Sequence, residues 1–427
     1  MSHARRFLFL QGPHGPFFNR LAGMLMAAGN EVWRVGFNAG DRAFWWRRSR
    51  YIPFTGPLDH WPDRFSQIVE RHGITDVVLY GDTRPVHAEA IAQARELGLT
   101  IHVFEEGYLR PYWATYERNG SNGNSPLMTM SVDDMARTLS ARETEPVEAP
   151  THWGDMRQHA IYSFLYHLCI LIGNRRYRRL RSHRALPVYR EFLVYLRRVL
   201  FQPLVLLDRT VVTSRIISSG HPFHIVLMQL EHDSAFQTHS PFKSMEAFLS
   251  MVVAGFAQGA AKHHHLVFKA HPMESGRLPM RRLLRDLAEA HGVKGRVHYV
   301  PGGKLARILN AARSAVTVNS TAAQQVLWRG MPLKSFGAAV YNKPEFVSDQ
   351  ALSAFFNAPQ GPNAAAYQAY RRYLLETSQV PGGFYSARGR RQLLRRVVDL
   401  MLAPRDPYQA LAAPGGAPEQ QLRLIKR

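Results

Sequence analysis

A strand–helix–strand pattern between Ile225 and Pro272 most constrains what this chain can fold into. Ile225–Leu230 is an apolar run of strand length, Met245–Ala257 has apolar residues at three- and four-residue spacing, and Leu266–Ala270 is a second apolar run. The pattern predicts a βαβ unit with two parallel strands. Ligands of open α/β sheets bind outside the carboxyl ends of the strands, so the residues that follow each strand are candidates for a site.

Polar side chains follow both strands of this unit. The candidates are Gln229, Asp233 and His239 at and beyond the end of the first strand, and Lys269, His271 and Pro272 at and beyond the end of the second. The carboxyl ends of neighbouring parallel strands lie at one edge of a sheet. We therefore expect Asp233 and His271 to face one bound ligand.

A further candidate group follows the apolar run Ala315–Val318. Asn319, Ser320 and Thr321 directly precede a segment with helical character, AAQQVLWRG. The free N–H groups and the dipole at a helix start favour an anion, so this triplet is a candidate phosphate site. A simple helix cap accounts for the same residue types, and the two interpretations are compatible.

Two adjacent carboxylates end a strand in the first half of the chain. Glu105 and Glu106 follow the apolar run Ile101–Phe104. Carboxylates that share a site can raise one another's pKa, which suits one of them to act as a general acid or base. A salt bridge to Arg84 or Arg110, or a helix-capping role, are the alternatives.

Alternating strand and helix patterns in both halves predict an α/β fold with two Rossmann-like domains. The first domain is expected over residues 1–150, and a basic, amphipathic helical segment over 151–215. A second α/β domain is expected over 216–350, helices over 351–402 and a disordered, Pro/Ala/Gly-rich tail over 403–427.

The charge balance points to anionic partners. The chain has 54 Lys and Arg residues against 32 Asp and Glu residues, a formal net charge of +22. Such a field favours nucleic acid or an anionic membrane surface. No nucleic-acid-binding signature is present, so nucleic acid is not an expected partner. Long helical patterns rich in arginine between His159 and Arg209 are typical of helices that lie on membrane surfaces, although a solvated helical hairpin has the same pattern.

Other features limit the compartment and the chemistry. The single cysteine, Cys169, fits a reducing cytoplasm. No segment has the roughly 20 consecutive apolar residues that a membrane-spanning helix needs. No Asp-x-Asp pair follows a strand, so we expect neither a metal site nor a cofactor.

Several short segments, in order along the chain, carry a resemblance to a known family. They are QGPHGPFF, FNAGDRAFW, FEEGYLRPYWATYE with NGNSP, the Gln229/Asp233/His239 array, KAHP, VTVNST and VPGGFY. On these segments the chain resembles the bacterial capsule polysaccharide biosynthesis and export family. Within that family it is similar to the single-module retaining β-Kdo transferases that start the lipid linker of capsules. Ala235 stands where the family commonly has a glutamine.

The resemblance implies a GT-B-like fold, in which two Rossmann-like domains face a cleft, and transfer of Kdo from CMP-Kdo to a phosphatidylglycerol-type lipid with retention. It implies nucleotide binding by His271, Pro272, Ser320 and Thr321, with Gln229 and Asn319 in the same array and Lys269 matching the carboxylate of Kdo. Asp233 would be the catalytic carboxylate, and Glu105 or Glu106 the acid/base.

The resemblance also implies a cytoplasmic protein bound peripherally to the inner face of the inner membrane, with other capsule biosynthesis or export proteins as further partners. The family's older naming gives an alternative, a non-catalytic export or assembly factor. The presence of Asp233, Glu105, Glu106 and His271 favours the enzyme.

Overall fold

The protein is described here from a computed structural model. It describes residues 4–111, 113–140, 156–177, 193, 204, 206–231, 233–271, 274, 279–302 and 304–413. The chain divides into two compact units. Unit 1 comprises Met1–Pro126, Met135–Tyr189 and Arg371–Arg427, and unit 2 comprises Leu127–Asp134 and Arg190–Tyr370.

Unit 1 is built on a seven-stranded sheet. Its strands are β1 (Arg6–Phe9), β2 (Glu31–Gly36), β3 (Tyr51–Pro53), β4 (Asp76–Tyr80), β5 (Thr100–Glu106), β6 (Trp113–Arg118) and, from the C-terminal part of the chain, β12 (Gln379–Pro381). The strand order is β12-β6-β5-β4-β1-β2-β3, and the pairs from β5 to β3 are parallel. Alternate residues of β1 enter different cores, Phe7 and Phe9 on one face and Leu8 on the other, because helices cover both faces.

Helices of unit 1 connect and cover these strands. They are α1 (Phe17–Ala27), α2 (Ala39–Ala43), α3 (Trp61–His72), α4 (Pro85–Glu96), α6 (Met156–Gly173), α15 (Ala387–Leu402) and α16 (Pro407–Ala412), while α5 (Val132–Ser140) begins in unit 2 and ends in unit 1. Helix α3 ends at Gly73, whose φ of 56° is left-handed, as the Gly at a helix C-terminus commonly is.

Unit 2 is built on a five-stranded, wholly parallel sheet. Its strands are β7 (Phe223–Leu227), β8 (His265–Lys269), β9 (Val297–Val300), β10 (Ala312–Thr317) and β11 (Leu333–Ser335), in the order β11-β10-β7-β8-β9. Its helices are α7 (206–218), α8 (Ser234–His239), α9 (Met245–Gly259), α10 (Met280–Ala290), α11 (Leu305–Leu309), α12 (Ala323–Leu327) and α13 (Leu352–Asn357), with α14 (Ala364–Glu376) passing from unit 2 to unit 1. The predicted α/β class and the βαβ unit β7–α9–β8 are confirmed.

Three expectations about the chain's organisation need correction. The segment after Glu106, where no strand is predicted, contains β6, which pairs antiparallel with β5 and with β12. This pairing draws the C-terminal part of the chain onto unit 1, where α15 packs Leu393 and Val397 into its core. The expected helical block over 351–402 is therefore divided between the two units.

The expected disorder from residue 403 does not hold for Pro407–Ala412. These residues form α16, in which Asp406 and Gln409 make a capping box and Tyr408 is buried. The tail from residue 414 lies outside the described residues.

The expected basic helical segment over 151–215 also divides. Helix α6 has one charged residue, Arg157, and belongs to the residues of unit 1, whereas α7 belongs to unit 2. Arg175 and Arg176 follow α6. Within the described ranges, no helix is both long enough and apolar enough to cross a membrane.

Candidate functional site

In unit 2, polar side chains meet at the carboxyl edge of the sheet. Strand β7 lies between β10 and β8, and its last residue, Leu227, is in register with Thr317 and Lys269. The residues just beyond these three positions therefore lie at one edge. This edge is where ligands of parallel α/β sheets bind.

Gln229 and Asn319 join two of these strand ends directly. The side-chain N–H of Gln229 donates to Asn319 Oδ1 at 2.7 Å, and the backbone N–H of Asn319 donates to Gln229 Oε1 at 2.9 Å. Both residues are buried. The pair satisfies buried polar groups while it fixes the loops after β7 and β10 relative to each other.

Lys269 ends β8 as a buried cation. Its ammonium group donates to the carbonyl of Ala270 at 3.4 Å, and the side chain is buried. Burial, and secondarily the charge of Arg209, lower the pKa of Lys269 to about 8. A desolvated ammonium at this position would be stabilised by an anionic ligand, because an opposite charge offsets the cost of burial.

Ser320 and Thr321 form a turn before α12 rather than its first residues. Ser320 Oγ accepts from the N–H of Ala322 at 3.3 Å, and its carbonyl accepts from the N–H of Ala323 at 3.0 Å. The hydroxyl of Tyr341 also donates to the Ser320 carbonyl, at 2.9 Å. The triplet thus precedes the helix as predicted, with α12 beginning one residue later than the predicted segment, and the serine hydroxyl binds one backbone N–H locally.

Asp233 and His271 lie in the loops beyond β7 and β8. Asp233 is exposed and directly precedes α8; its carbonyl accepts from the N–H of Gln237 at 3.0 Å. His271 is half-buried, two residues beyond β8. Pro272 lies outside the described residues. Both side chains thus follow the strands that the sequence analysis named, and their proposed roles stay predictions.

A close backbone approach brings the end of α8 to the same edge. The N–H of Ala338 donates to the carbonyl of His239 at 2.9 Å, and a Cβ on Gly337 would lie 2.8 Å from that carbonyl. The N–H of Gly337 also donates to Val318 at 2.8 Å. Glycine at 337 therefore allows the loops after β10 and β11 to pack against the C-terminal end of α8.

In unit 1, Glu105 and Glu106 are the last two residues of β5. They are paired with Thr115 and Ala114 on β6, so a strand rather than a loop faces them. Glu105 Oε1 accepts the backbone N–H of Glu106 at 3.0 Å. Gly81 directly follows β4 with a φ of 72°, and a Cβ there would lie 3.2 Å from Glu105 Oε2.

Three ring side chains that were not predicted from the sequence lie around Glu106. The hydroxyl of Tyr80 donates to Glu106 Oε1 at 3.0 Å and is hydrogen-bonded to Tyr385. The ring of His159 lies against that of Tyr385, with centroids 4.0 Å apart. Burial, and then the negative charge of Glu106, raise the pKa of both tyrosines, so each stays protonated.

Part of this cluster had a signal in the sequence. Tyr80 ends a strand, at the position where ligand-binding residues collect, and Tyr385 ends the VPGGFY segment. Periodicity cannot place Tyr385 beside Tyr80 and Glu106, because its position depends on the β12–β6 pairing.

Two other motif segments are explained by buried hydrogen bonds. In FNAGDRAFW, Asp41 accepts from Arg34 at 3.1 Å and from the N–H of Phe37 at 3.0 Å, and Gln11 of the first glycine-rich turn donates to it at 3.2 Å. In the NGNSP segment, the hydroxyl of Ser125 donates to Glu117 Oε1. These hydrogen bonds hold the loops in place, and this structural role accounts for the residue types at these positions.

Comparisons with known proteins agree with one another. The family model described as "Capsule polysaccharide biosynthesis protein" matches residues 75–385. The capsule polysaccharide modification protein LipB of Neisseria meningitidis serogroup B is 33% identical over 393 residues, 90% of this chain and 93% of that protein. The capsule polysaccharide export protein KpsS of Escherichia coli is 29% identical over 384 residues, 89% of this chain and 97% of that protein.

Two solved structures align with most of this chain at low sequence identity. The β-Kdo 2,7 transferase of Thermosulfurimonas dismutans KpsC aligns with 93% of this chain and 100% of its own, with a TM-score of 0.43 and 11% identity. The β-Kdo 2,4 transferase of the same protein aligns with 86% and 98%, with a TM-score of 0.37 and 12% identity.

Proposed function

The chain belongs to the capsule polysaccharide biosynthesis protein family, and on that premise we propose that it is a retaining glycosyltransferase. It moves Kdo from CMP-Kdo to a phosphatidylglycerol-type lipid, as the first residue of the capsule linker. One observation carries the proposal: the carboxyl edge of the unit 2 sheet collects the Gln229–Asn319 pair and the buried cation Lys269. The motif resemblance supplies the identity of the sugar.

The donor's negative charges account for the residue types at this edge. CMP-Kdo carries a phosphate and a sugar carboxylate. Lys269 contributes a buried positive charge, and His271, Ser320 and Thr321 contribute N–H and O–H donors toward the nucleotide phosphate. Pro272, next to His271 in the sequence, is proposed to take part in nucleotide binding with it. Such fixed donors act most strongly where water is excluded, and they stabilise CMP as its charge develops.

Asp233 is the proposed nucleophile. One of its oxygens attacks the anomeric carbon while the bond to the phosphate oxygen breaks, and CMP leaves with the bonding electron pair. The acceptor's hydroxyl oxygen then attacks the same carbon and displaces Asp233. Two inversions give net retention, as in retaining glycoside hydrolases.

The acceptor hydroxyl must lose its proton in the second step. Glu105 or Glu106 is the proposed base. Glu106 is the stronger candidate, because the Tyr80 hydroxyl donates to it and holds it in one orientation. General bases positioned in this way contribute about 10²- to 10⁴-fold to a rate.

A lipid acceptor requires contact with a membrane, and α6 supports that proposal. Five large apolar side chains on this helix are exposed, and spacings of three, four and seven residues place them on one face: Ile161, Phe164, Leu165, Leu171 and Ile172. Arg175 and Arg176 follow at the end of the helix. Apolar residues beside arginines match the acyl and phosphate layers of an anionic leaflet, here the inner face of the inner membrane.

The alternative is a non-catalytic factor in capsule export or assembly, acting with other capsule proteins. The name of the Escherichia coli relative favours it. An enzyme and a scaffold differ in whether CMP is released.

The test incubates the full-length protein with CMP-Kdo and a fluorescent phosphatidylglycerol analogue, and follows the lipid by chromatography. We expect a Kdo-bearing lipid from the parent protein and none from Asp233→Ala. Asp286→Ala, an exposed acidic residue on α10, is the matched control and should retain activity. No product from the parent protein contradicts the transferase, whereas an active Asp233→Ala contradicts only the role of Asp233.

A further inference from the structure

A second basic site lies at the opposite edge of the unit 2 sheet. A cavity of about 420 Å³ opens there, beside the first residues of β7, β8 and β9. His265 begins β8 and Lys269 ends it, so the two edges are about 13 Å apart at roughly 3.3 Å per residue. The cavity is therefore separate from the proposed donor site, and the argument for it does not rest on the proposed function.

The cavity is lined by an unusual concentration of cationic and imidazole side chains. They are Arg215, Arg281, Arg285, His221, His265 and His298. All the lining residues are described in the structure, and none of them is acidic. Asp208 pairs with Arg281 and Glu274 acts electrostatically on the lining Tyr299, so two carboxylates offset part of the positive charge from outside the cavity wall.

The three imidazoles form a stack. The rings of His221 and His265 have centroids 4.3 Å apart, and those of His265 and His298 have centroids 5.0 Å apart, both nearly parallel. Nδ1 of His265 and Nε2 of His298 are 2.7 Å apart, so one nitrogen donates a hydrogen bond and the other accepts it. Burial, followed by the charges of His298, His221 and Arg296, lowers the pKa of His265 to about 4. The positive charge of the cavity thus comes from its arginines, and a bound anion would favour protonation of the imidazoles beside them.

We propose that this cavity binds a phosphate group. Arginine guanidinium groups match phosphate oxygens with paired N–H donors, and the three around this cavity carry more charge than Asp208 and Glu274 neutralise. Ile216, Leu284 and Val297 line the same cavity, so its wall also suits an apolar portion of the ligand. The ligand is a phosphate on an organic body, either a soluble phosphate ester or the headgroup of a phospholipid.

No metal is needed to explain the three histidines. Among the residues that the structure describes, no group of three or more His, Cys, Asp or Glu side chains could hold a metal ion. The neighbouring guanidinium groups would also repel a cation. The cluster is therefore interpreted as an anion site.

Calorimetric titration of the full-length protein tests the proposal with two probes. Glycerol 3-phosphate carries the phosphate without acyl chains, and dihexanoyl phosphatidic acid, used below its micelle concentration, carries both. Arg285→Gln removes a lining charge on α10, and Arg282→Gln removes an exposed charge from the same helix outside the cavity. Arg215→Gln tests the same site from α7.

We expect Arg285→Gln and Arg215→Gln each to weaken phosphate binding at least about tenfold, as loss of a charged hydrogen bond does. Arg282→Gln should bind like the parent. Tighter binding of the phosphatidic acid by about tenfold or more identifies a lipid ligand, and equal binding identifies a soluble phosphate ester. Equal affinities for the Arg285 and Arg282 variants, or no saturable binding to the parent protein by either probe, would overturn the proposal.

Discussion

Gln229 and Asn319 exchange two hydrogen bonds across the ends of β7 and β10, at 2.7 and 2.9 Å. Gln229→Ala leaves the N–H and the side-chain oxygen of Asn319 buried without these partners. We expect the free energy of unfolding to fall by about 1–3 kcal/mol, the usual cost of a buried polar group that loses its partner. Chemical denaturation measures the change, and Gln258→Ala, an exposed change on α9, is the control.

A double-mutant cycle tests whether the pair acts as one unit. Asn319→Ala and the double variant complete the cycle with Gln229→Ala. We expect a coupling free energy of about 1 kcal/mol or more, because the two residues contact each other directly. Additive effects within about 0.3 kcal/mol would show that the pair does not join the two strand ends.

The buried ammonium of Lys269 should make stability depend on pH. Its pKa is about 8 in the folded protein and about 10.5 when exposed, so the unfolded chain binds more protons between these values. Stability must then rise with pH in this window. From pH 7.5 to 9.5 we expect the free energy of unfolding of the parent to gain about 2 kcal/mol relative to Lys269→Met.

Lys262→Met is the matched control for this measurement, because Lys262 is an exposed lysine close to β8 in the sequence. It should leave the pH dependence of the parent unchanged. Parallel pH profiles for the parent and Lys269→Met would mean that Lys269 is not desolvated as described.

The two adjacent glutamates should differ in their importance. Glu106 accepts a hydrogen bond from the Tyr80 hydroxyl, whereas Glu105 accepts one from the backbone N–H of Glu106. We expect Glu106→Gln to lower the rate of Kdo transfer by about 10²- to 10⁴-fold, and Glu105→Gln to lower it less. Glu89→Gln, an exposed change on α4, is the control.

Tyr80→Phe extends that comparison. It removes the hydroxyl that orients Glu106 and should lower the rate constant of transfer while the KM for CMP-Kdo changes little. Full activity of both Glu106→Gln and Tyr80→Phe would exclude Glu106 as the acid/base.

The exposed face of α6 should bind anionic membranes. Ile172 is 77% exposed and Phe164 is 50% exposed. Replacing both with serine removes two apolar side chains that would each contribute about 1.5–3 kcal/mol if fully buried in the bilayer. We expect at least a tenfold (~1.4 kcal/mol) loss of binding to vesicles that contain phosphatidylglycerol, measured by co-sedimentation.

The control for this surface is Leu97→Ser, which removes an exposed leucine elsewhere in unit 1. Arg175→Glu with Arg176→Glu should weaken binding mainly at low salt, because the contribution is electrostatic. Binding that is unaffected by the α6 changes would assign membrane contact to another surface.

Hydrophobic periodicity was sufficient to predict much of the fold. The β7–α9–β8 unit and the parallel character of the unit 2 sheet follow from local apolar patterns, and the boundaries moved by one to three residues. The strand-end rule likewise selected Gln229 and Asn319, which do meet. Local patterns are reliable here because the sheet is buried on both faces and its strands are continuous apolar runs.

Long-range pairing was beyond the sequence. Strand β6 (WATYER) mixes apolar, polar and charged residues without a clear period, and its partner β12 lies far along the chain. Without that pair, nothing places Tyr385 beside Tyr80 and Glu106. The cavity of His221, His265 and His298 was missed for a different reason: the strand-end rule directs attention to the carboxyl edge, and these histidines lie at the other edge.

The anomeric configuration of the product tests the central claim most directly. The full-length protein would be incubated with CMP-Kdo and a short-chain phosphatidylglycerol, and the purified product analysed by NMR while CMP release is quantified. The account predicts β-linked Kdo on the lipid, one CMP released for each Kdo transferred, and no product from Asp233→Asn. An α-linked product would contradict retention, and the absence of lipid-dependent CMP release would contradict the transferase itself.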